Sequence, residues 1–404
     1  MLPNLFTIEL QTFIRDNEHV DVKDLLLRQK TILGIPTAWV VQQIVGRKKA
    51  KEKLPSFYHT NAVIYPPGIN LEQSSSEDTA RFKKDYAFAD IPSPDRIADI
   101  TGGLGIDSYF FERKFNEVLY VEPDTELLQI SRHNHQQLGA HRIKHFAMTA
   151  EKFLEANEQS LDCIYIDPSR RNDNNRKVFS FADCTPNIST LLPQLFQKAR
   201  HLVIKASPLL DIQKGIGDLE FVKRVFVLAV HNECKELLFI CERGHADEPV
   251  IQAVNIDKNK SLQSLDFLQT GERKQDIEFS DPQTYLYEPN VSLLKAGAFK
   301  TLSSRFNIPK LHPSTHLYTS DRLEELFPGN IFRILALAKS SPKELREHFP
   351  EGKANLITRN YPLSVKALRQ KTTLGDGGDR YLIGCSGRNK KYLIVAEKIV
   401  SEKS

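Results

Sequence analysis

Three acids and one run of glycines carry the chemistry available to this sequence. In Asp99-Ile100-Thr101-Gly102-Gly103-Leu104-Gly105-Ile106-Asp107 a carboxylate stands just before a glycine-rich turn. Glycines take backbone angles closed to other residues and let a ligand approach the main chain, where the free N–H groups of a following helix point outward. Such a turn suits any nucleoside-bearing ligand, and it also occurs as a plain strand-to-helix bend with no ligand. Asp99 bears on the choice: the strand before a dinucleotide turn is normally apolar, whereas a carboxylate here can accept hydrogen bonds from an amino-acid ammonium. Glu122, which ends the apolar run Val118-Leu119-Tyr120-Val121, stands where an acid grips ribose hydroxyls. A third apolar run, Asp162 to Ile166, leads into Asp167-Pro168-Ser169-Arg170-Arg171. Its proline halts the ladder, so these side chains crown the carboxyl end of that strand.

These groups need a scaffold. Arg96 to Ile100 reads as a strand, and Ile106, Tyr109, Phe110 and Phe111 recur at helical spacing. Strands near 97, 118, 143, 162, 201 and 224 alternate with helical stretches up to about Glu242. That rhythm predicts a mostly parallel sheet with helices on both faces and ligands beyond the carboxyl ends of the strands. The last pair, Val222 to Val230 and Lys235 to Cys241, is closely spaced and suits an antiparallel edge. Upstream, Pro36 opens a helix that runs into Gly46-Arg47-Lys48-Lys49-Ala50-Lys51-Glu52-Lys53. A basic run at a helix end favours the helix dipole and solvent; contact with a substrate is the alternative. Ser75 with Asp78, or Ser74 with Glu77, fits a capping box that opens a helix through Tyr86. Past residue 245 prolines punctuate shorter elements. Strands at Asn330 to Ala338, Ala354 to Thr358, Arg380 to Gly384 and Lys391 to Ala396, with helices after Pro342 and Pro362, form a small α/β domain.

Composition narrows the class. The 404 residues are 40% apolar, enough for a buried core and more than one domain. A net charge of +4 does not by itself indicate a nucleic-acid partner. Five cysteines with no Cys-x-x-Cys pair fit neither a disulfide framework nor a zinc site, and point to a reducing cytoplasm. No basic start precedes an apolar core at the N-terminus, and no apolar run reaches the roughly 18 residues of a membrane span. No cysteine has a nucleophile's surroundings; His231 and Cys234 read as structural.

The order Asp-x-Thr-Gly-Gly-x-Gly, an acid ending the second strand, then Asp-Pro-Ser-Arg resembles class I S-adenosylmethionine-dependent methyltransferases. With Leu71-Glu72-Gln73-Ser74-Ser75, Thr79-Ala80 and Asp376-Gly377-Gly378, the chain is more closely similar to those that carry a C-terminal THUMP-like domain. The resemblance implies an α/β chain: an N-terminal helical segment (1–90), a Rossmann-like methyltransferase domain (91–280), a ferredoxin-like connector (281–322) and a THUMP-like domain (323–400). It implies S-adenosylmethionine as cofactor, with Asp99, Thr101, Gly102, Gly103, Gly105 and Asp107 around the methionine part and Glu122-Pro123 at the ribose. Met148 and Thr149 would lie near adenine, and Gln73 and Ser75 would line the pocket. Asp167 would face both the methyl group and the acceptor, and Arg170 with Arg171 would clamp a phosphate or base edge or brace the loop. Amine methyltransferases usually show Asn/Asp-Pro-Pro-aromatic at the fourth strand; Ser169 and Arg170 stand here instead, which leaves the acceptor atom open.

True THUMP domains bind structured RNA, so the resemblance implies an RNA partner, with Arg359, Lys366, Arg369, Lys371, Arg380, Arg388, Lys390 and Lys391 as phosphate contacts if they share a face. No membrane partner and no metal is expected. Two other readings stand beside this one. Gly103-x-Gly105-x-x-Ser108 approaches a dinucleotide fingerprint, as in an oxidoreductase, and an RNA-binding module on an inactive methyltransferase fold would use the same surfaces.

Overall fold

The computed structural model describes residues 7–92, 94–170 and 180–399, with only the backbone of Arg170. Two compact units divide the chain: Met1–Val225 with Lys235–Asp247, and Phe226–Cys234 with Glu248–Ser404.

The first unit opens with helices α1 (Ile8–Asp16), α2 (Val22–Arg28) and α3 (Thr37–Lys53), with the two-residue strands β1 (Thr31–Ile32) and β2 (Ile35–Pro36) between. Short helices α4 (Pro55–His59), α5 (Gly68–Gln73) and α6 (Glu77–Phe82) follow, and α6 runs on into a π-helical turn, Lys83–Ala87. The cap of α6 is Ser76, whose hydroxyl accepts from the Thr79 N–H, and the α-helix stops at Phe82. Neither expected capping box forms, because Ser75 is buried and turned to a different partner.

Strands β3 (Arg96–Asp99), β4 (Glu117–Val121), β5 (Ile143–Phe146) and β6 (Leu161–Ile166) alternate with α7 (Ile106–Phe111), α8 (Thr125–Gln137) and α9 (Ala150–Ala156). After the two-residue ladder of β7 (Ser169–Arg170) and β8 (Cys184–Thr185) come α10 (Ile188–Lys198), β9 (Ala199–Ala206), α11 (Ile212–Asp218), β10 (Val222–Val230) and β11 (Glu233–Glu242). The strands lie in the order β10-β11-β9-β6-β3-β4-β5. The pairs β3–β4, β4–β5, β3–β6 and β6–β9 are parallel, and β11 runs antiparallel to β9. The central stretches of β6, β9, β10 and β11 are apolar and buried, as cover on both faces of a sheet requires. Phe88 meets Phe111 and Phe115 edge to face, and Phe111 meets Tyr165 likewise, each contact adding about 0.5–1.5 kcal/mol beyond area burial. Between β3 and β6 the chain order reverses. That switch point opens a crevice at the carboxyl ends of both strands.

In the second unit the hairpin β12 (Val250–Ile256) and β13 (Leu262–Leu268) is followed by α12 (Gln269–Lys274). A seven-stranded sheet has the order β15-β16-β14-β17-β20-β19-β18, built from β14 (Tyr285–Pro289), β15 (Lys310–His312), β16 (Thr315–Ser320), β17 (Gly329–Ala338), β18 (Asn355–Arg359), β19 (Arg380–Ser386) and β20 (Lys391–Ile399). Helices α13 (Val291–Ala296) and α14 (Phe299–Phe306) precede β15, while α15 (Pro342–His348) and α16 (Val365–Thr372) flank β18. Leu345, Phe349 and Leu368 pack with Leu382, Leu393 and Val395 of the sheet. No helix among the described residues is long and apolar enough to cross a membrane.

Candidate active site

The glycine turn leaves the end of β3 and enters α7 with Gly105 left-handed at φ +72° and Gly103 at φ +55°. A Cβ at Gly105 would fall 2.6 Å from the His135 ring, and one at Gly102 would run into Tyr120. At Gly103 a Cβ would meet only the Thr101 carbonyl, 3.9 Å away, so the main chain there is open to an approaching group. Three side chains beneath the turn donate to its carbonyls: Tyr120 Oη (2.5 Å) and Ser131 Oγ (3.1 Å) to Gly103, and His135 Nε2 (2.8 Å) to Gly105. With Nε2 donating, His135 Nδ1 is left to accept from His145 Nε2 at 2.9 Å. Burial lowers the pKa of His135 to about 4, and burial together with the His135 charge lowers that of His145 to about 3, so both rings are neutral at pH 7.

Glu122 ends β4 with Oε2 accepting from the Gly103 N–H (2.9 Å) and Oε1 from the Asp124 N–H (2.8 Å). Burial raises its carboxyl against those two bonds. Pro123 and Thr149 are exposed, Met148 is half-buried, and Thr149 caps α9. Thr101 Oγ1 accepts from the Asp167 N–H at 2.6 Å, tying the turn to the end of β6.

Asp99 ends β3. It is 1% exposed, and its carboxyl is enclosed under the turn, accepting from Ser108 Oγ (2.6 Å) and the Thr101 N–H (3.3 Å). Burial, reinforced by the Asp107 and Asp167 charges, pushes it up to about 7. The folded value lies above the unfolded one, so the stability it contributes is present at low pH and is lost as pH rises toward 7. Asp99→Asn, which carries no charge to bury, is expected to unfold at a higher temperature than the parent at pH 8. The gain is on the order of 2–4 kcal/mol and vanishes near pH 4, as calorimetric melts across that range would show.

Asp107 is also buried. Ser75 Oγ (2.7 Å) and Tyr165 Oη (2.8 Å) donate to its Oδ2, and the Lys83 ammonium lies 3.1 Å from Oδ1. Burial alone would raise this carboxyl, but the charges of Lys83 and Lys205 with the two hydroxyls hold it below the ordinary range. Lys83 also donates to Glu236 Oε1 (2.9 Å) and Ser75 Oγ (3.0 Å). At the rim, Lys205 Nζ donates to Asp167 Oδ2 at 2.6 Å. Lys83, Lys205 and Glu236 are the site residues that the sequence reading missed. For two of them the signal was a charged residue inside or ending an apolar strand, Lys205 after Leu202-Val203-Ile204 and Glu236 before Leu237-Leu238-Phe239; Lys83, in the π-helical turn, had none.

Gln73 is exposed on the last turn of α5. Of Arg170 only the backbone is described, paired with Cys184, and Arg171 lies outside the described residues. The basic run of α3 is largely engaged: Arg47 with Glu18, Lys49 with Glu72, and Lys53 Nζ with the carbonyls of Leu71 and Glu72, both at 2.7 Å. In the second unit Arg359 pairs with Glu288 (2.6 Å), Arg369 with Asp376 (2.5 Å) and Arg380 with Glu397 (3.3 Å). Lys366, Lys371, Arg388, Lys390 and Lys391 are exposed.

A ferredoxin-like domain family matches residues 285–328, and a THUMP domain-like family matches residues 329–398. A crystal structure of a candidate methyltransferase from Porphyromonas gingivalis W83 is similar over 97% of this chain and 98% of its own, with a TM-score of 0.85 and 31% identity. An rRNA methylase from Streptococcus thermophilus is similar over 40% of this chain and 94% of its own (TM-score 0.30, 13% identity). TrmK of M. capricolum, solved with S-adenosyl-homocysteine, covers 41% of this chain and 70% of its own (TM-score 0.32, 14% identity). No curated protein matches the chain.

Proposed function

The chain belongs to the class I S-adenosylmethionine-dependent methyltransferases with a C-terminal THUMP-like domain, and on that premise we propose that it methylates RNA. The observation that carries the reading is Asp167, one residue past β6, tied through its N–H to the glycine turn and through its carboxylate to Lys205. The donor set fits the cofactor. The opening at Gly103 admits a ligand to the main chain, Glu122 stands beside it for the ribose, and Gly102 to Gly105 flank the methionine part. Met148 and Thr149 would line the adenine side, and Gln73 and Pro123 the rim. When bound, S-adenosylmethionine supplies a methyl group already activated on a sulfonium. What remains for the protein is alignment: holding an acceptor in line is worth up to ~7–11 kcal/mol of the barrier. Asp167 orients the acceptor and takes its proton if one must leave.

The RNA reading draws on charge as well as on the THUMP-like domain. Burial, with the neighbouring charges of Lys205 and Lys235, lowers the Lys53 ammonium to about 8. A phosphodiester bound beside it would favour its charged form. Affinity for RNA, read by fluorescence anisotropy, is therefore expected to fall between pH 7 and 9 as Lys53 loses its proton. Lys53→Arg should flatten the curve.

The test is transfer of label from methyl-labelled S-adenosylmethionine to total RNA, followed by nucleoside mass spectrometry from cells with and without the protein. Label in RNA, with a modified nucleoside missing from the deletion strain, supports the proposal. Label only in protein or small molecules, or RNA binding without transfer, overturns it.

A further inference from the structure

We infer that Lys205 is the positioning residue of the transfer site, fixing Asp167 by one carboxylate oxygen so that the other is offered to a hydrogen-bearing acceptor atom. The inference rests on the methyl-transfer reading above.

Lys205 lies near the end of β9, between β6 and β11, opposite Leu238 in the β11 register. Its Nζ is 2.6 Å from Asp167 Oδ2, 3.5 Å from Ser75 Oγ and 4.0 Å from Glu236 Oε2. Glu236 turns its other oxygen to Lys83, so one carboxylate joins two lysines. Lys83 reaches this point from the π-helical turn, a local widening of the helix that often marks a functional site. In direct contact, the ammonium groups of Lys83 and Lys205 meet three carboxylates, Asp107, Glu236 and Asp167, of which Asp167 is the most open. The side chains of Lys83, Glu236, Asp107 and Lys205 are 0%, 3%, 10% and 13% exposed, while that of Asp167 is 35% exposed. Among the described residues Asp167 Oδ1 has no hydrogen-bond partner, whereas Oδ2 is taken by Lys205. The network thus presents one oriented carboxylate oxygen just past the end of β6.

Such an oxygen suits an acceptor that carries a hydrogen: an amine, a ring N–H or a hydroxyl. As the new bond to carbon forms and the carbon–sulfur pair returns to sulfur, the proton on the acceptor atom passes to Asp167 Oδ1 and from there to water. An acceptor without that hydrogen has nothing to give this oxygen. The ionisable groups around Asp167 are Lys205 in contact and, beyond it, Asp99, Tyr165, Asp107, Glu236 and Lys83.

The test compares Lys205→Met, Lys205→Gln and Lys205→Arg with the parent, using steady-state label transfer to RNA and calorimetric binding of S-adenosyl-homocysteine. For Lys205→Met a fall in kcat of about 100-fold is expected from loss of alignment, with the KM for S-adenosylmethionine and the affinity for S-adenosyl-homocysteine unchanged. Lys205→Gln, which can still donate one hydrogen bond, should restore part of the rate, and Lys205→Arg most of it. A kcat unchanged by Lys205→Met, or a loss that Lys205→Arg does not rescue, overturns the inference. If the parent itself neither binds S-adenosyl-homocysteine nor transfers label, it is the methyl-transfer reading that fails.

Discussion

Asp167→Asn is expected to lower methyl transfer by about 10²- to 10⁴-fold, the usual worth of a positioned proton-handling group. Affinity for S-adenosylmethionine should stay within about threefold, because the interaction lost is one made with the acceptor as it reacts. The asparagine keeps the shape and one acceptor oxygen, and the Asp167 N–H bond to Thr101 does not involve the side chain, so the glycine turn is left in place. What changes is charge. An amide at this position is a weaker acceptor and cannot take a proton, and Lys205 loses its closest counter-ion while keeping Glu236 at 4.0 Å. Steady-state transfer with binding by calorimetry decides it: a kcat within tenfold of the parent would sink the role given to Asp167.

The second large effect falls on stability. Lys83→Met leaves Asp107 and Glu236 inside the first unit with their fully buried partner gone, and breaking a buried ion pair from one side costs about 3–5 kcal/mol. For a domain of this size the melting temperature should drop on the order of 10 °C. The sign of the pH dependence is fixed by Asp107. Its folded value lies below the unfolded one in the parent, so its contribution is present at neutral pH and is lost as pH falls. In Lys83→Met that contribution is missing from the start, and the deficit relative to the parent should shrink toward pH 4. A uniform deficit across pH would mean that lost packing, not unpaired charge, is the cause.

Local signals were legible in the sequence and distant pairings were not. The order of strands and helices followed from apolar runs and turn residues, and the positions of Glu122 and Asp167 followed from where apolar strands end. Three consecutive serines defeated the capping assignment: Ser74, Ser75 and Ser76 all fit by type, and only tertiary contact reveals that Ser76 caps while Ser75 turns to Asp107. Lys83 and Glu236 are 153 positions apart, and no periodicity connects them. For Asp99 the sequence gives the end of a strand but not the depth at which Ser108 encloses it. Whether the basic residues of the THUMP-like domain share a face is not written in their spacing, and neither are the pairings of Arg359, Arg369 and Arg380 with acids of their own unit.

The hydroxyls of Tyr120 and Ser131 and the ring of His135 all donate to carbonyls of the glycine turn. Glycine loses more backbone freedom on ordering than any other residue, and a loose loop would charge that loss against each ligand it receives. Here the loss is met during folding, by side chains that belong to β4 and α8. The ligand capture proposed at Gly103 would then draw on a surface already at its final shape, with the free energy of contact going into affinity rather than into ordering the loop.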